Sequence, residues 1–327
     1  MINEIESKTT SKTKVLLIGS TGKLGKGVLN ELITHNDTLE VRLLVRKANG
    51  TAAHQNLIKY HGDLLFDDIN PSIQWADIIL NCSGMVSYRA EDARNLQSVN
   101  VQGVRNLITS CERFNKPLIH TGSAIAYGSS VVPICFSEEF DEQNVYRGNY
   151  AQSKFEADQL IIASKIPYVI LRPSTLISTL TNLYNFYKKG FIADLRGGAS
   201  FAQIEEVAKA YVSAIDLLIK SPSQYIFNLG GNNLAFSAVF DCFNELDYRR
   251  TRLVKKPFLS ALSLVNDNFL NPVFNISILT RDNYLTGNRY TFLNSSKAIE
   301  HLNYTISPFE HSVKNILLYD HYRRRNP

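Results

Sequence analysis

The chain has 327 residues, of which 44% are apolar and 20% charged, and a formal net charge of +5. That length suits about two domains of roughly 150 residues, and the balance is that of a globular protein, not a disordered or fibrous one. Part of the charge sits in two short basic patches, DYRRTRLVKK (247–256) and HYRRR (321–325). They carry no recognised nucleic-acid module and no aromatic stacking motif among the charges, so no nucleic-acid partner is expected.

The first 13 residues are polar and lack the apolar stretch of a signal peptide. No run reaches the roughly 18 apolar residues of a membrane span; FLSALSLVNDNFL (258–270) is cut by Asn266, Asp267 and Asn268. A cytoplasmic protein without a transmembrane segment is therefore expected. A regular alternation follows. KVLLIGS (14–20) reads as a buried strand and leads into a helix through about residue 35. EVRLLVR (40–46), LIKYHGD (57–63), ADIILNCS (76–83), KPLIHTGS (116–123) and YVILRPS (168–174) continue the strands, with helix-period stretches at 91–113 and 148–165. Continuous apolar strands separated by helices predict a parallel sheet covered on both faces, an α/β doubly wound Rossmann fold. After residue 175 the rhythm breaks, and only YIFNLGG (225–231) reads as one more strand of that sheet. The expected division is a nucleotide domain over 1–175, to which 225–231 returns, and a smaller, mostly helical substrate lobe over 176–327. The four cysteines (82, 111, 135, 242) form no CxxC or Cys/His cluster, so neither a metal site nor a disulfide framework is expected.

The turn after the first strand, GSTGKLG (19–25), carries glycines at 19, 22 and 25. An ATP-type P-loop would need glycine at 20 and Ser or Thr at 27, where Ser20 and Gly27 stand. The spacing instead suits a dinucleotide pyrophosphate. Gly19 permits the tight turn, Gly22 lets the backbone approach the phosphates, and Gly25 lets the helix pack on the strand. Thr21, Lys23 and Leu24 complete the predicted cradle. NAD enzymes place an acid about 20 residues further on, for the ribose 2′-hydroxyl. Here Arg46 and Lys47 stand at that place, 21 and 22 residues after Gly25, with no carboxylate. A guanidinium pairs with a 2′-phosphate that an acid would repel, so NADP(H) is the expected cofactor. A solvated strand end is the alternative for Arg46.

NYAQSKFEAD (149–158) holds Tyr150 and Lys154, four apart and so on one helix face. A phenol ordinarily ionises near pH 10, and a neighbouring ammonium favours the phenolate. Lowering it by about three pH units takes roughly 4 kcal/mol, which a partly desolvated site can supply. Ser123, at the end of a buried strand, stands on the ligand-binding edge of such a sheet, where its hydroxyl can polarise a substrate carbonyl.

These residues together resemble the extended short-chain dehydrogenase/reductase family, over roughly residues 14–305. Its marks here are the GxxGxxG turn, the strand end TGSAIAYG, the YxxxK pair and ILRPS. HGDLLFDD (61–68), LNCSGMVS (80–87), NVQGVRNL (100–107), FAQIEEVAKAYVSAI (201–215) and FLNSSKAIEHLNY (292–304) are similar to further family segments. The resemblance implies that Asp63 and Leu64 contact adenine, that Ser83 and Gly84 line the cofactor, and that Pro173 and Ser174 lie near the nicotinamide. It makes Tyr150 the acid–base, Lys154 its activator and ribose anchor, Ser123 the carbonyl ligand and Asn100 a supporting residue.

The family includes reductases, sugar-nucleotide epimerases and dehydratases. Ala124-Ile125 replace the Asp-Glu of dehydratases, Arg46 is unlike the acid of the NAD-retaining epimerases, and RPSTLIS lacks their VYGP ending. The expected activity is NADP(H)-dependent reduction of a ketone or aldehyde, resembling the 3β-hydroxysteroid dehydrogenase and dihydroflavonol reductase branch. An NDP-sugar epimerase and a non-catalytic NADP sensor are the alternatives. NLYNFYKKGF (182–191) and NFLNPVFNISIL (268–279) are either pocket wall for a partly apolar substrate or simply lobe core. A homodimer is compatible with the family, whose members often pair through two helices flanking the sheet.

Overall fold

The computed structural model describes residues 11–46, 57–139, 145–266 and 280–314. Lys47, the patch 321–325 and the stretch 268–279 lie outside the described residues. The strands in chain order are β1 (Thr13–Ile18), β2 (Leu39–Val45), β3 (Lys59–His61), β4 (Ile78–Asn81), β5 (Leu118–Thr121), β6 (Cys135–Phe136), β7 (Tyr168–Pro173), β8 (Thr175–Leu176), β9 (Phe191–Ala193), β10 (Gly198–Ala202), β11 (Gln224–Leu229), β12 (Asn232–Ala235), β13 (Arg252–Val254) and β14 (Tyr290–Leu293). The helices are α1 (Lys23–Thr34), α2 (Asn70–Trp75), α3 (Ala93–Leu96), α4 (Gly103–Arg113), α5 (Asn149–Ile162), α6 (Leu180–Lys188), α7 (Ile204–Lys220), α8 (Phe236–Leu246), α9 (Lys256–Val265), α10 (Arg281–Gly287) and α11 (Ser296–Leu302).

Seven strands form one sheet in the order β11-β7-β5-β4-β1-β2-β3. Every pairing in it is parallel. Alternate residues of β1 serve opposite faces. Val15 and Leu17 join the core under α1 and α7, and Leu16 and Ile18 join the core under α2, α4 and α5. A strand that must be apolar on both sides reads as an unbroken run, which is why KVLLI was visible. Helix α1 buries Gly25, Val28, Leu29 and Leu32, a single stripe at helical spacing. It meets α7 closely: a Cβ on Gly27 would lie 2.3 Å from Cγ2 of Ile204.

The expected 91–113 helix is continuous but not uniform. A π-helical segment, Gln97–Gln102, joins α3 to α4 and holds Asn100. Such bulges are rare and mark functional places. The region after residue 175 is mainly helical, as expected, but carries short strands as well. It holds α6, α8, α9 and α10, but also a second sheet, β12-β10-β14-β6 with β8 beside β10, and the β9–β13 pair. These strands run two to five residues, too short for a two-residue alternation to show in sequence. The chain crosses between the units repeatedly. β6 adds to the second sheet, and α7, β11 and α11 cover or extend the first. No described helix is long and apolar enough to cross a membrane, and no described His, Cys, Asp or Glu cluster could hold a metal.

Candidate active site

The glycine turn joins β1 to α1. Gly19 adopts φ +84°, a left-handed conformation that favours glycine, and a Cβ there would lie 2.4 Å from the Ser83 nitrogen. The turn is thus pressed on the chain leaving β4, next to Ser83 and Gly84. A Cβ on Gly25 would lie 2.1 Å from the Gly19 carbonyl oxygen, so the helix seats on the turn only with glycine there. Gly22 differs: its Cβ would meet nothing nearer than 3.5 Å. It caps α1 without a side-chain partner, and the first turn has no acid. Free N–H groups and open space at an uncapped helix N-terminus fit an incoming pyrophosphate. Thr21 and Lys23 are exposed beside it, and Leu24 packs inward.

Across the sheet, Arg46 leaves β2 with a side chain 75% exposed, and its Nη1 lies 3.8 Å from Oδ2 of Asp63 after β3. Leu64, next to Asp63, is held by the Asn106 amide, which donates to its carbonyl oxygen at 2.8 Å. At the end of β4, the Oδ1 of Asn81 accepts from both the N–H (3.0 Å) and the hydroxyl (2.5 Å) of Ser83. Asn100 clamps the following loop: it accepts from the Met85 N–H at 2.8 Å and donates to the Met85 carbonyl and the Ser153 hydroxyl, both at 2.9 Å. Pro173 and Ser174 are buried where β7 ends, and the Ser174 hydroxyl has no protein partner among the described residues.

Ser123, Tyr150 and Lys154 converge beyond β5. Burial holds the Tyr150 phenol above its ordinary value; the neighbouring Ser123 hydroxyl draws it the other way, and the Asp158 charge adds to the rise. The expectation of a phenol lowered by Lys154 is therefore corrected for the protein alone. Lys154 is buried, and its ammonium donates to the Thr121 carbonyl at 2.6 Å. Burial lowers its pKa, opposed by the Asp158 carboxylate and then by Cys82.

Several groups here had gone unassigned. Asp158 lies one turn beyond Lys154, fully buried, and its Oδ2 accepts from Arg172 Nε at 2.8 Å. Arg172 also lies 4.6 Å over the Tyr127 ring, whose hydroxyl donates to Asn228 at 2.8 Å. A charge inside the apolar run YVILRP was the available signal, since a buried arginine demands an anion. Tyr88 packs edge-on against Tyr150, with ring centroids 5.7 Å apart. Nothing in the sequence marked it. The Cys82 thiol, pushed up to about 11 by burial, lies by Thr121, Tyr211 and Lys154 and is not a nucleophile.

His120 stands in the middle of β5 with no exposure. The Asn81 amide nitrogen lies 3.2 Å from its Nδ1, and its Nε2 has no partner among the described residues. Burial, then the Lys154 charge, hold the imidazole well below its ordinary value, so the folded protein keeps it neutral. The unfolded chain takes up a proton near pH 6.5, so stability from this residue is intact above that pH and is lost as pH falls below it. Urea denaturation of the wild type is expected to show a midpoint falling from about pH 6.5 toward pH 5, with the slope reduced in His120→Asn. Equal slopes would place the proton uptake elsewhere.

Comparison with known proteins adds four relations. Residues 15–230 match the model of the NAD dependent epimerase/dehydratase family. The nonribosomal peptide synthetase asaC of Aspergillus flavus is 25% identical over 232 residues, covering 58% of this chain and 23% of that synthetase. The chain thus spans under a quarter of that relative's length. Among solved structures, the terminal R domain of the myxalamid PKS-NRPS biosynthetic pathway superposes with a TM-score of 0.78 at 17% identity, covering 97% of this chain and 92% of that one. The UDP-glucuronic acid 4-epimerase of Bacillus cereus, solved with UDP-glucuronic acid and NAD, gives 0.70 at 16% identity, covering 91% and 95%. At these identities the superpositions speak for the fold.

Proposed function

For this chain, which belongs to the NAD dependent epimerase/dehydratase family, we propose an NADP(H)-dependent carbonyl reductase acting on a ketone or aldehyde. The observation that carries the reading is the Ser123 hydroxyl beside the Tyr150 phenol, one helical turn from a buried Lys154, on the same sheet edge as the glycine turn. The order of the groups across that edge supports it. From β3 toward β7 come Arg46 with Asp63, the glycine turn, Ser83 with Gly84, Ser123, and Pro173 with Ser174. That is the order of a dinucleotide lying from its adenosine to its nicotinamide.

When bound, the reduced nicotinamide supplies a hydride. The chain's own part is positioning and proton transfer. Ser123 donates a hydrogen bond to the substrate oxygen, and Tyr150 gives that oxygen a proton as negative charge develops on it. A phenol held above its ordinary pKa remains protonated at neutral pH and so is ready to act as the acid. Burial disfavours the charged form of Lys154 and Asp158 favours it; in that form Lys154, within the same buried cluster, opposes the charge left on Tyr150. The Asn100 clamp holds the loop opposite.

The test is NADPH oxidation against a panel of ketones, aldehydes, thioester-linked carbonyls and sugar nucleotides. Reduction of a carbonyl with stoichiometric loss of NADPH is expected. Interconversion of a sugar nucleotide without net cofactor loss would replace the reading with epimerisation, and binding of NADPH without any turnover would make the chain a sensor. For the cofactor, Arg46→Ala is expected to weaken NADPH at least about tenfold, with NADH nearly unchanged, in a fluorescence titration. Equal losses for both would remove the 2′-phosphate from Arg46.

A further inference from the structure

Helix α5 carries Tyr150 in its first turn, yet its own sequence supports that end poorly. Gly148 is the N-cap, no side chain caps it, and the first turn has no acidic residue. The N–H groups there lack intrahelical acceptors and favour a nearby anion. The anion comes from the other unit, more than 130 residues away. A Cβ on Gly148 would lie 2.2 Å from both carboxylate oxygens of Asp282, and the three nearest atoms all belong to Asp282. The carboxylate occupies the volume that any other residue at 148 would need.

Asp282 is itself held in place. It lies in the first turn of α10, which Thr280 caps by accepting from the Asn283 N–H at 3.1 Å. The Tyr146 hydroxyl donates to its Oδ1 at 3.0 Å, and the Arg289 guanidinium stands 4.9 Å over the Tyr146 ring. Burial raises the phenols of Tyr146 and Tyr88, and the carboxylate lies close enough to add to both; Tyr88 is the ring against the edge of Tyr150. One carboxylate therefore touches the start of the Tyr150 helix, the chain entering it, and the neighbourhood of the ring packed on the phenol.

We infer that Asp282 is a positioning residue: its carboxylate, seated against Gly148 and bonded by Tyr146, docks α10 on the start of α5 and sets the aim of Tyr150. This rests on the reductase reading only for the role of Tyr150; the contact itself is independent of it.

Gly148→Ala and Asp282→Ala attack one contact from opposite sides. Each single variant is expected to lower kcat about tenfold on the panel carbonyl that the wild type reduces fastest, a loss typical of a reacting group displaced by a fraction of an ångström. NADPH affinity, read by fluorescence titration, should stay within about twofold, because the glycine turn and Arg46 lie elsewhere. The double variant should be no slower than Asp282→Ala alone, since the added methyl then has room. Independent losses multiplying to about a hundredfold, wild-type kcat in Gly148→Ala, or a loss seen only in folded fraction with kcat per folded molecule unchanged would overturn the positioning role. Thermal midpoints test the contact without turnover. Gly148→Ala should lower the midpoint in the wild-type background and not in the Asp282→Ala background; equal drops in both would overturn it. A wild type that reduces no carbonyl defeats the reductase reading alone, and the midpoints then decide the contact.

Discussion

Replacing Tyr150 with phenylalanine is expected to lower kcat for carbonyl reduction about a thousandfold while leaving NADPH affinity within about twofold. A positioned proton donor contributes roughly 10²–10⁴-fold, and phenylalanine keeps the ring and its edge contact with Tyr88 while removing the hydroxyl beside Ser123. Ser123→Ala should lose less, about tenfold to a hundredfold, because it removes one hydrogen bond to the developing charge and leaves the acid in place. Steady-state kinetics with a fluorescence titration of NADPH separates the two effects. Retained turnover in Tyr150→Phe would move the proton donor elsewhere, with Tyr88 the neighbouring phenol to examine.

The second large effect concerns stability. Asp158→Ala is expected to destabilise the fold by about 3–5 kcal/mol, because it leaves Arg172 as a buried charge without its anion. Both side chains are almost fully enclosed, at 7% exposure for Arg172 and 0% for Asp158. The pair also stands beneath Lys154, whose charged form Asp158 favours. Urea denaturation of Asp158→Ala and of the double variant Asp158→Leu/Arg172→Met separates these roles. Apolar replacement of both partners should recover most of the stability. It should not recover kcat, because the lysine then lacks its carboxylate neighbour. A cost below about 1 kcal/mol for Asp158→Ala would place the pair among the exposed ion pairs it does not resemble. Full activity in the double variant would remove the electrostatic link to Lys154.

The two predictions rest on features of unequal visibility. The glycine turn was readable because glycine is required there by a positive φ at residue 19 and by contact at residue 25, and local backbone requirements leave local marks. Tyr150 and Lys154 were readable because helical periodicity places residues four apart together. Asp158 lies at the next interval of four and was overlooked, although with Arg172 in a buried strand it completes the same pattern. The small strands of the second unit were not separable from its helices, since two to five residues carry no period of their own.

What the sequence alone determined is whatever a short window enforces: the parallel sheet, from uninterrupted apolar strands alternating with helices; the glycine turn after the first strand, from glycine spacing; and the pairing of Tyr150 with Lys154 on one face, from one turn of helix. Tertiary structure alone decided which distant groups meet. It set Asp282 against Gly148, placed Tyr88 against the edge of Tyr150, and turned Lys154 toward Thr121 so that burial, not the ammonium, governs the phenol. Those contacts join residues tens to more than a hundred positions apart, and charge, burial and hydrogen bonding act through space, with a range of a few ångströms that no sequence interval measures.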